Sequence, residues 1–96
     1  DLTLMQIVVQ GEKAGKRTRF TWDMFDRYDP ETRVHSMART TGYTATVTAR
    51  MLLEGLFTEK GVIAPETIGA QADCMDFILK GLAERGVVYK ETVEEI

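Results

Sequence analysis

Apolar and polar residues alternate along two stretches near the start of the chain, which predicts two β-strands. In residues 3–10 the apolar face carries Met5, Ile7 and Val9. In residues 17–27 the alternation is clearer, and one face carries Phe20, Trp22 and Met24. The segment Gly11–Lys16 between them is a short, glycine-punctuated turn, so the two strands are expected to form an antiparallel hairpin.

The apolar spacing after the hairpin changes to that of helices. Residues 37–54 predict a first helix with Ser36 as its N-cap and Gly55 as its C-terminal cap. Thr41 is a rival N-cap, because the neighbouring threonines lower helix propensity. Residues 58–70 are expected to be a loop. A second helix follows from the i, i+3, i+4, i+7 spacing of Met75, Ile78, Leu79 and Leu82.

Gly86 is placed to end the second helix, and Val87–Tyr89 predict a third short strand. The order β-β-α-α-β favours an α+β fold of two layers, with two helices packed on one face of a small antiparallel or mixed sheet. Residues 1–96 are expected to form a single domain. The uncovered sheet face would carry Leu4, Val8 and Phe25, so we expect it to require a partner, such as a second copy.

Composition and charge narrow the function classes. The net charge is −3 and the basic residues are scattered, which argues against nucleic-acid binding. Cys74 is the only cysteine, so no intrachain disulfide forms and a reduced, cytoplasmic setting is expected. No apolar run approaches the roughly 20 residues of a membrane span. Because the chain begins at Asp1 rather than at a methionine, we expect it to be a fragment of a longer protein.

Two nucleotide-binding patterns are absent from the chain. The segment Gly11–Lys16 is not a phosphate-binding loop, because three residues rather than four separate its glycines and Arg17 follows the lysine. The dinucleotide fingerprint Gly-x-Gly-x-x-Gly does not occur either. The sequence therefore predicts no cofactor site within these residues.

Three acids recur every third residue at the end of the second predicted strand: Asp23, Asp26 and Asp29. The odd spacing places Asp23 and Asp26 on opposite faces of a strand, so we predict a solvated strand end rather than a metal site. His35 is interpreted as a loop histidine without a catalytic role. Acids beside Cys74 raise the pKa of its thiol, which argues against a nucleophilic role.

The segment Arg39–Tyr43 carries the candidate binding residues. Arg39 can hold a carboxylate through two parallel hydrogen bonds. Thr40 and Thr41 offer hydroxyl groups, Gly42 permits close approach, and Tyr43 adds an aromatic wall with a polar tip. The chemistry equally allows a structural alternative, in which Gly42 permits tight helix packing and Arg39 is solvated. No catalytic residue is predicted.

The run Met37–Tyr43, the helix end Arg50–Gly55, and Gly61-Val62 with Pro65-Glu66 together resemble the C-terminal region of the saccharopine dehydrogenase and lysine dehydrogenase family. The resemblance extends over the whole chain. One departure is Thr44, because the family often places a proline after the Gly-Tyr pair.

The resemblance implies that the parent protein is an NAD(P)-dependent oxidoreductase of lysine metabolism acting on C–N bonds of amino acids. An N-terminal Rossmann domain of the same chain would bind NAD or NADP. This segment would supply the substrate side, with Arg39–Tyr43 facing the cleft, and would be inactive alone. Its fold would be similar to the C-terminal domain of glyceraldehyde-3-phosphate dehydrogenases, and its sheet would form a homodimer. The alternative is a stand-alone, non-enzymatic α+β dimerisation module.

Overall fold

Two long strands, β1 (Leu2–Lys13) and β2 (Lys16–Arg27), form an unbroken antiparallel hairpin in the computed structural model, which describes all 96 residues. The ladder runs from the pair Leu2 and Arg27 to the pair Lys13 and Lys16. The turn is therefore only two residues, Ala14 and Gly15, with φ of 54° and 77°. Positive φ at both central positions is the geometry that matches the twist of a tight hairpin. The predicted turn over Gly11–Lys16 was too wide, but the hairpin is confirmed.

The third strand, β3 (Tyr89–Glu95), pairs with β2 in antiparallel register and completes a sheet of order β1-β2-β3. The predicted strand over Val87–Tyr89 begins too early. The N–H of Val87 donates to the carbonyl of Leu82 at 2.9 Å, and its side chain is buried, so this residue belongs to the C-terminal capping motif of the preceding helix and not to the strand.

The first helix, α1, covers Ser36–Leu53, but the prediction of Ser36 as its N-cap is wrong. The N-cap position is His35, whose side chain makes no capping bond. The carboxylate of Asp1 instead accepts the N–H groups of Ser36 and Met37 at 2.8 and 3.2 Å. Thr41 lies within the helix, so the rival cap is wrong as well. A carboxylate at this end also suits the helix dipole.

Glycine ends α1, as predicted. Gly55 has φ of 77°, its N–H donates to Leu52, and the N–H of Leu56 donates to Met51. This pair of bonds is the Schellman motif, which satisfies carbonyls that the helix end would leave free.

Two further helices follow, α2 (Pro65–Gly69) and α3 (Ala72–Glu84). The short α2 lies inside the predicted loop, and Pro65 at its first turn suits a position where no N–H is needed. The prediction that Gly86 ends α3 is confirmed, since Gly86 has φ of 82° and donates to Ala83. None of the three helices is both long and apolar enough to cross a membrane.

The helices lie on one face of the sheet, which confirms the α+β class. One core cluster joins sheet to helices and contains Met24, Leu82 and Val87. A second lies among the helices and contains Met51, Phe57 and Cys74. The opposite sheet face is uncovered, as predicted, with Leu4 and Phe25 exposed by 71% and 57%.

Candidate functional site

A buried polar cluster joins the end of the hairpin to the start of α1, and Arg39 lies at its centre. The guanidinium Nε is 3.1 Å from Oδ1 and 3.2 Å from Oδ2 of Asp26. Both residues are nearly removed from solvent, with 7% of Arg39 and 4% of Asp26 exposed. The segment predicted to receive a substrate carboxylate therefore holds a carboxylate of its own chain.

Ser36 and Thr3 extend this cluster across to β1. The hydroxyl of Ser36 donates to Oδ2 of Asp26 at 2.8 Å, which leaves its oxygen to accept the hydroxyl of Thr3, also at 2.8 Å. No buried side-chain nitrogen or oxygen in the chain lacks a hydrogen-bond partner. The cluster is therefore fully satisfied, which a polar group needs in order to be buried without a large penalty.

The remaining contacts of Arg39 reach the loop after β2 and the end of α3. One terminal nitrogen donates to Asp29 at 3.4 Å, and the other donates to the carbonyl of Arg85 at 3.1 Å. The guanidinium also lies over the ring of Tyr43, 5.6 Å from its centroid. One side chain thus connects β2, α1 and the C-terminal end of α3.

The interpretation of the acids as a solvated strand end is wrong for Asp26. Period-two alternation does place Asp23 and Asp26 on opposite faces, and Asp23 accepts the amide of Gln6 on the outer face. Asp26, however, continues the face of Trp22 and Met24, which is the face that the helices cover. The alternation itself carried this signal, because it places an acid in line with the apolar residues of β2.

Asp29 is held by its own turn. Its carboxylate accepts the hydroxyl of Thr32 at 2.9 Å and the N–H of Glu31 at 3.0 Å. These bonds, with the Arg39 charge as a smaller contribution, lower the pKa of Asp29 below its usual 3.8. The stability that this carboxylate contributes is therefore complete above pH 3.8 and is lost as the pH falls through the lower folded pKa.

The other residues of the predicted segment lie on different sides of α1. The hydroxyl of Thr40 donates to the carbonyl of Ser36 at 3.0 Å. Thr41 is exposed, and Tyr43 is half-buried beside the core of Met24, Leu82 and Val87. A Cβ at Gly42 would have no heavy atom within 4 Å. Thr41 and Gly42 therefore face accessible surface, whereas Arg39 and Thr40 bond to the chain itself.

The structural alternative fails at Gly42, because nothing packs against it. The glycine that permits close helix packing is Gly81 on α3, where a Cβ would lie 2.7 Å from a methyl group of Val47 on α1. The other alternative, a solvated Arg39, is also excluded by its burial. The role of Arg39–Tyr43 as ligand contacts stays a prediction.

His35 and Cys74, for which the sequence predicted no catalytic or nucleophilic role, lie in different environments. His35 is exposed, with its Nδ1 3.5 Å from Asp1 and its ring beside Tyr28. Cys74 is fully buried, and its thiol lies 3.6 Å from the carbonyl of Leu56. Burial, reinforced by the charge of Asp73, raises the pKa of the Cys74 thiol, so the predicted direction is confirmed with burial as the larger cause.

An apolar groove lies between the sheet and α3, on the part of the helix-covered face that the helices leave open. Its volume is about 670 Å³, and its walls include Ile7 and Trp22 from the sheet and Met75 and Leu79 from α3. Sequence reasoning missed it, because each of these residues falls on a face that the patterns predict to be buried.

Comparison with known proteins gives one family. The model of the saccharopine dehydrogenase C-terminal domain matches residues 1–87 of the chain. The match includes the hairpin, the three helices and every residue of the Arg39 cluster. No solved structure gives a significant match.

Proposed function

Because the chain belongs to the saccharopine dehydrogenase C-terminal domain family, we propose that it is the substrate-side domain of an NAD(P)-dependent oxidoreductase acting on C–N bonds of amino acids. The observation that carries the proposal is the family match, since it covers all but the last nine residues of the chain. In the proposed enzyme an N-terminal domain of the parent chain holds the cofactor, and this domain closes the substrate cleft.

The chain's own residues do not fit a dinucleotide. Its three strands are antiparallel, whereas dinucleotide sites form where a parallel strand leads through a glycine-rich turn into a helix. We therefore assign no step of hydride transfer to this domain. Its proposed contribution is to bind and orient the amino-acid substrate.

The surface at the start of α1 supports this role. Thr41 is exposed and Gly42 has open space beside it, so a substrate or the neighbouring domain can approach the helix backbone here. Arg39 lies beneath this surface, with 7% of the residue exposed and its guanidinium bonded to Asp26, Asp29 and the carbonyl of Arg85. These bonds hold the start of α1 in place, which reduces the conformational entropy that binding at Thr41 and Gly42 would otherwise remove.

The proposal also includes self-association through the sheet. The sheet face opposite the helices exposes Leu2, Leu4 and Phe25 by 60%, 71% and 57%. A contiguous apolar surface of this kind is typical of an interaction site.

The experiment uses the parent enzyme carrying Thr41→Ala. Removing a hydroxyl that binds the substrate is expected to raise KM about tenfold, the value of one lost hydrogen bond, with little change in kcat. Thr46→Ala is the matched control, because Thr46 is also exposed on α1 but lies on another side of the helix, bonded to Gly42. The 96-residue chain alone should not reduce a nicotinamide cofactor with any amino acid, and turnover by it would contradict the proposal.

A further inference from the structure

The outer edge of β1 differs from the other edge of the sheet. Residues 2–11 carry no charge and no proline, and the pairing with β2 has no bulge. On the opposite edge, β3 carries Lys90, Glu91, Glu94 and Glu95. Charges, prolines and bulges are the devices that keep sheet edges from pairing with other strands. The edge of β1 has none of them over ten residues.

Two hydrogen bonds show which backbone N–H and C=O groups point outward at the two edges of the sheet. Tyr28 N–H donates to the carbonyl of Asp1, so odd-numbered residues of β1 bond toward β2. The N–H and C=O groups of the even-numbered residues then point outward, at Leu2, Leu4, Gln6, Val8 and Gln10. At the opposite edge of the sheet, the N–H of Ile96 donates to the carbonyl of Arg17. The N–H and C=O groups of the odd-numbered residues of β3 therefore point away from β2.

We propose that β1 pairs with β1 of a second copy in antiparallel register, about a two-fold axis at Gln6, and so forms a continuous six-stranded sheet. This inference rests on the self-association included in the proposed function, and it assigns the contact to the backbone edge of β1 rather than to the apolar sheet face. A strand paired antiparallel with itself is self-complementary, so the contact closes at two copies.

The charge pattern selects the centre of the register. Within the uncharged residues 2–11, the segment Leu2–Gln10 is centred on Gln6. A two-fold axis there places Leu4 opposite Val8 of the partner subunit, and Met5 opposite Ile7 of the partner subunit. A centre at Met5 sets Asp1 against the partner's Val9, and a centre at Ile7 sets Glu12 against the partner's Leu2. The Gln6 register pairs residues 2–10 with themselves and places Asp1 opposite Gly11 of the partner subunit, which has no side chain, whereas each shifted register sets a carboxylate against an apolar side chain.

Sedimentation of the 96-residue chain at micromolar concentration tests the edge. The wild type is expected to approach twice its 10.8 kDa mass. Val8→Pro removes an outward N–H while keeping an apolar side chain and the β1–β2 ladder. The two-fold axis makes each copy lose one hydrogen bond across the contact, so the variant should weaken dimerisation at least about tenfold. Val93→Pro is the matched control, since Val93 also has an outward N–H but lies on the charged edge. It should leave the dimer unchanged.

Cross-linking tests the register. In Gln6→Cys the two new thiols lie at a directly opposed, hydrogen-bonded pair, whose Cα atoms are about 5.5 Å apart and within reach of a disulfide. Under oxidation this variant should form a covalent dimer, whereas Gln10→Cys, far from its own copy, should not. Shifting the centre by one residue moves the Gln6 pair to a diagonal of about 7–8 Å, so failure of the Gln6→Cys dimer to form contradicts the register.

The outcomes separate the edge from the self-association. A wild type that stays monomeric contradicts both. A dimer that tolerates Val8→Pro but is lost in Phe25→Lys, on the apolar face, contradicts the edge and keeps self-association through the sheet. Growth beyond two copies contradicts the closed two-fold arrangement. Loss of the dimer in Val8→Pro, with Val93→Pro and Phe25→Lys still dimeric, supports the proposal.

Discussion

The two ends of the helix-covered sheet face differ in burial although the same alternation runs through both. At the closed end, where the helices lie, Met24 and Asp26 are exposed by only 3% and 4%. At the open end, Val9 and Val93 are exposed by 50% and 54%. An acid is thus more buried than two valines. Burial in this domain follows from where the helices lie, and polarity alone does not predict it.

The position of α1 explains the closed end. Its first turn is held by the Asp1 carboxylate, its first residue, Ser36, donates its hydroxyl to Asp26, and Arg39 reaches both β2 and the end of α3. The buried side of α1 is therefore polar at its start and apolar later, at Val47 and Met51. The open end has no such contacts, and its aromatic residues stack on each other, with the rings of Phe20 and Trp22 5.8 Å apart.

The largest expected effect comes from breaking the ion pair of the closed end. Asp26→Ala leaves the buried Arg39 without its main partner and should lower the free energy of unfolding by about 3–5 kcal/mol. Urea denaturation measures it. Asp23→Ala, on the other face of the same strand, is the control and should change stability by about 1 kcal/mol or less. Equal losses of stability in the two variants would contradict a larger contribution of the buried Asp26–Arg39 pair.

Two methionines on the same sheet face test how strongly coverage by the helices affects stability. Met24 and Met5 are opposed on neighbouring strands and share a face, yet they are exposed by 3% and 41%. Met24→Ala should lose about 2–5 kcal/mol, because it leaves a cavity in the core of Leu82 and Val87. Met5→Ala should lose clearly less, since much of its surface stays in water. Thermal and urea unfolding measure both, and similar losses would contradict the boundary between the two ends.

Two helical glycines give the smallest effects, of opposite sign. Gly81→Ala forces a Cβ to within 2.7 Å of Val47 and should lower stability by about 1–3 kcal/mol, less any gain in helix propensity. Gly42→Ala meets no atom and should raise stability by about 0.5–1 kcal/mol.

A double-mutant cycle with Val47→Ala checks the mechanism. The loss from Gly81→Ala should shrink when the methyl groups of Val47 are removed. Additive losses would mean that the close approach of α1 and α3 is not the cause.

Local sequence features predicted much of the fold for reasons that need no distant contact. Alternation assigned the faces of β1 and β2, because successive side chains of a strand point to opposite sides. Gly55 and Gly86 end α1 and α3, since both positions adopt positive φ, which glycine tolerates best. The exposed face with Leu4 and Phe25 followed from the same alternation and the number of helices.

Other features depended on residues far apart in the chain, so only the tertiary structure decided them. The sequence singled out the segment Arg39–Tyr43. It did not predict that Asp26 would bind Arg39, because that pair depends on where α1 crosses the sheet. The cap of α1 comes from Asp1, 35 residues earlier than the position it caps. Gly81 packs against Val47 across two helices, whereas Gly42, the glycine that stood out in the sequence, meets nothing. The sequence determined which residues share a face, since that follows from backbone geometry. The tertiary structure decided which faces are covered, since that follows from the packing of elements distant in sequence.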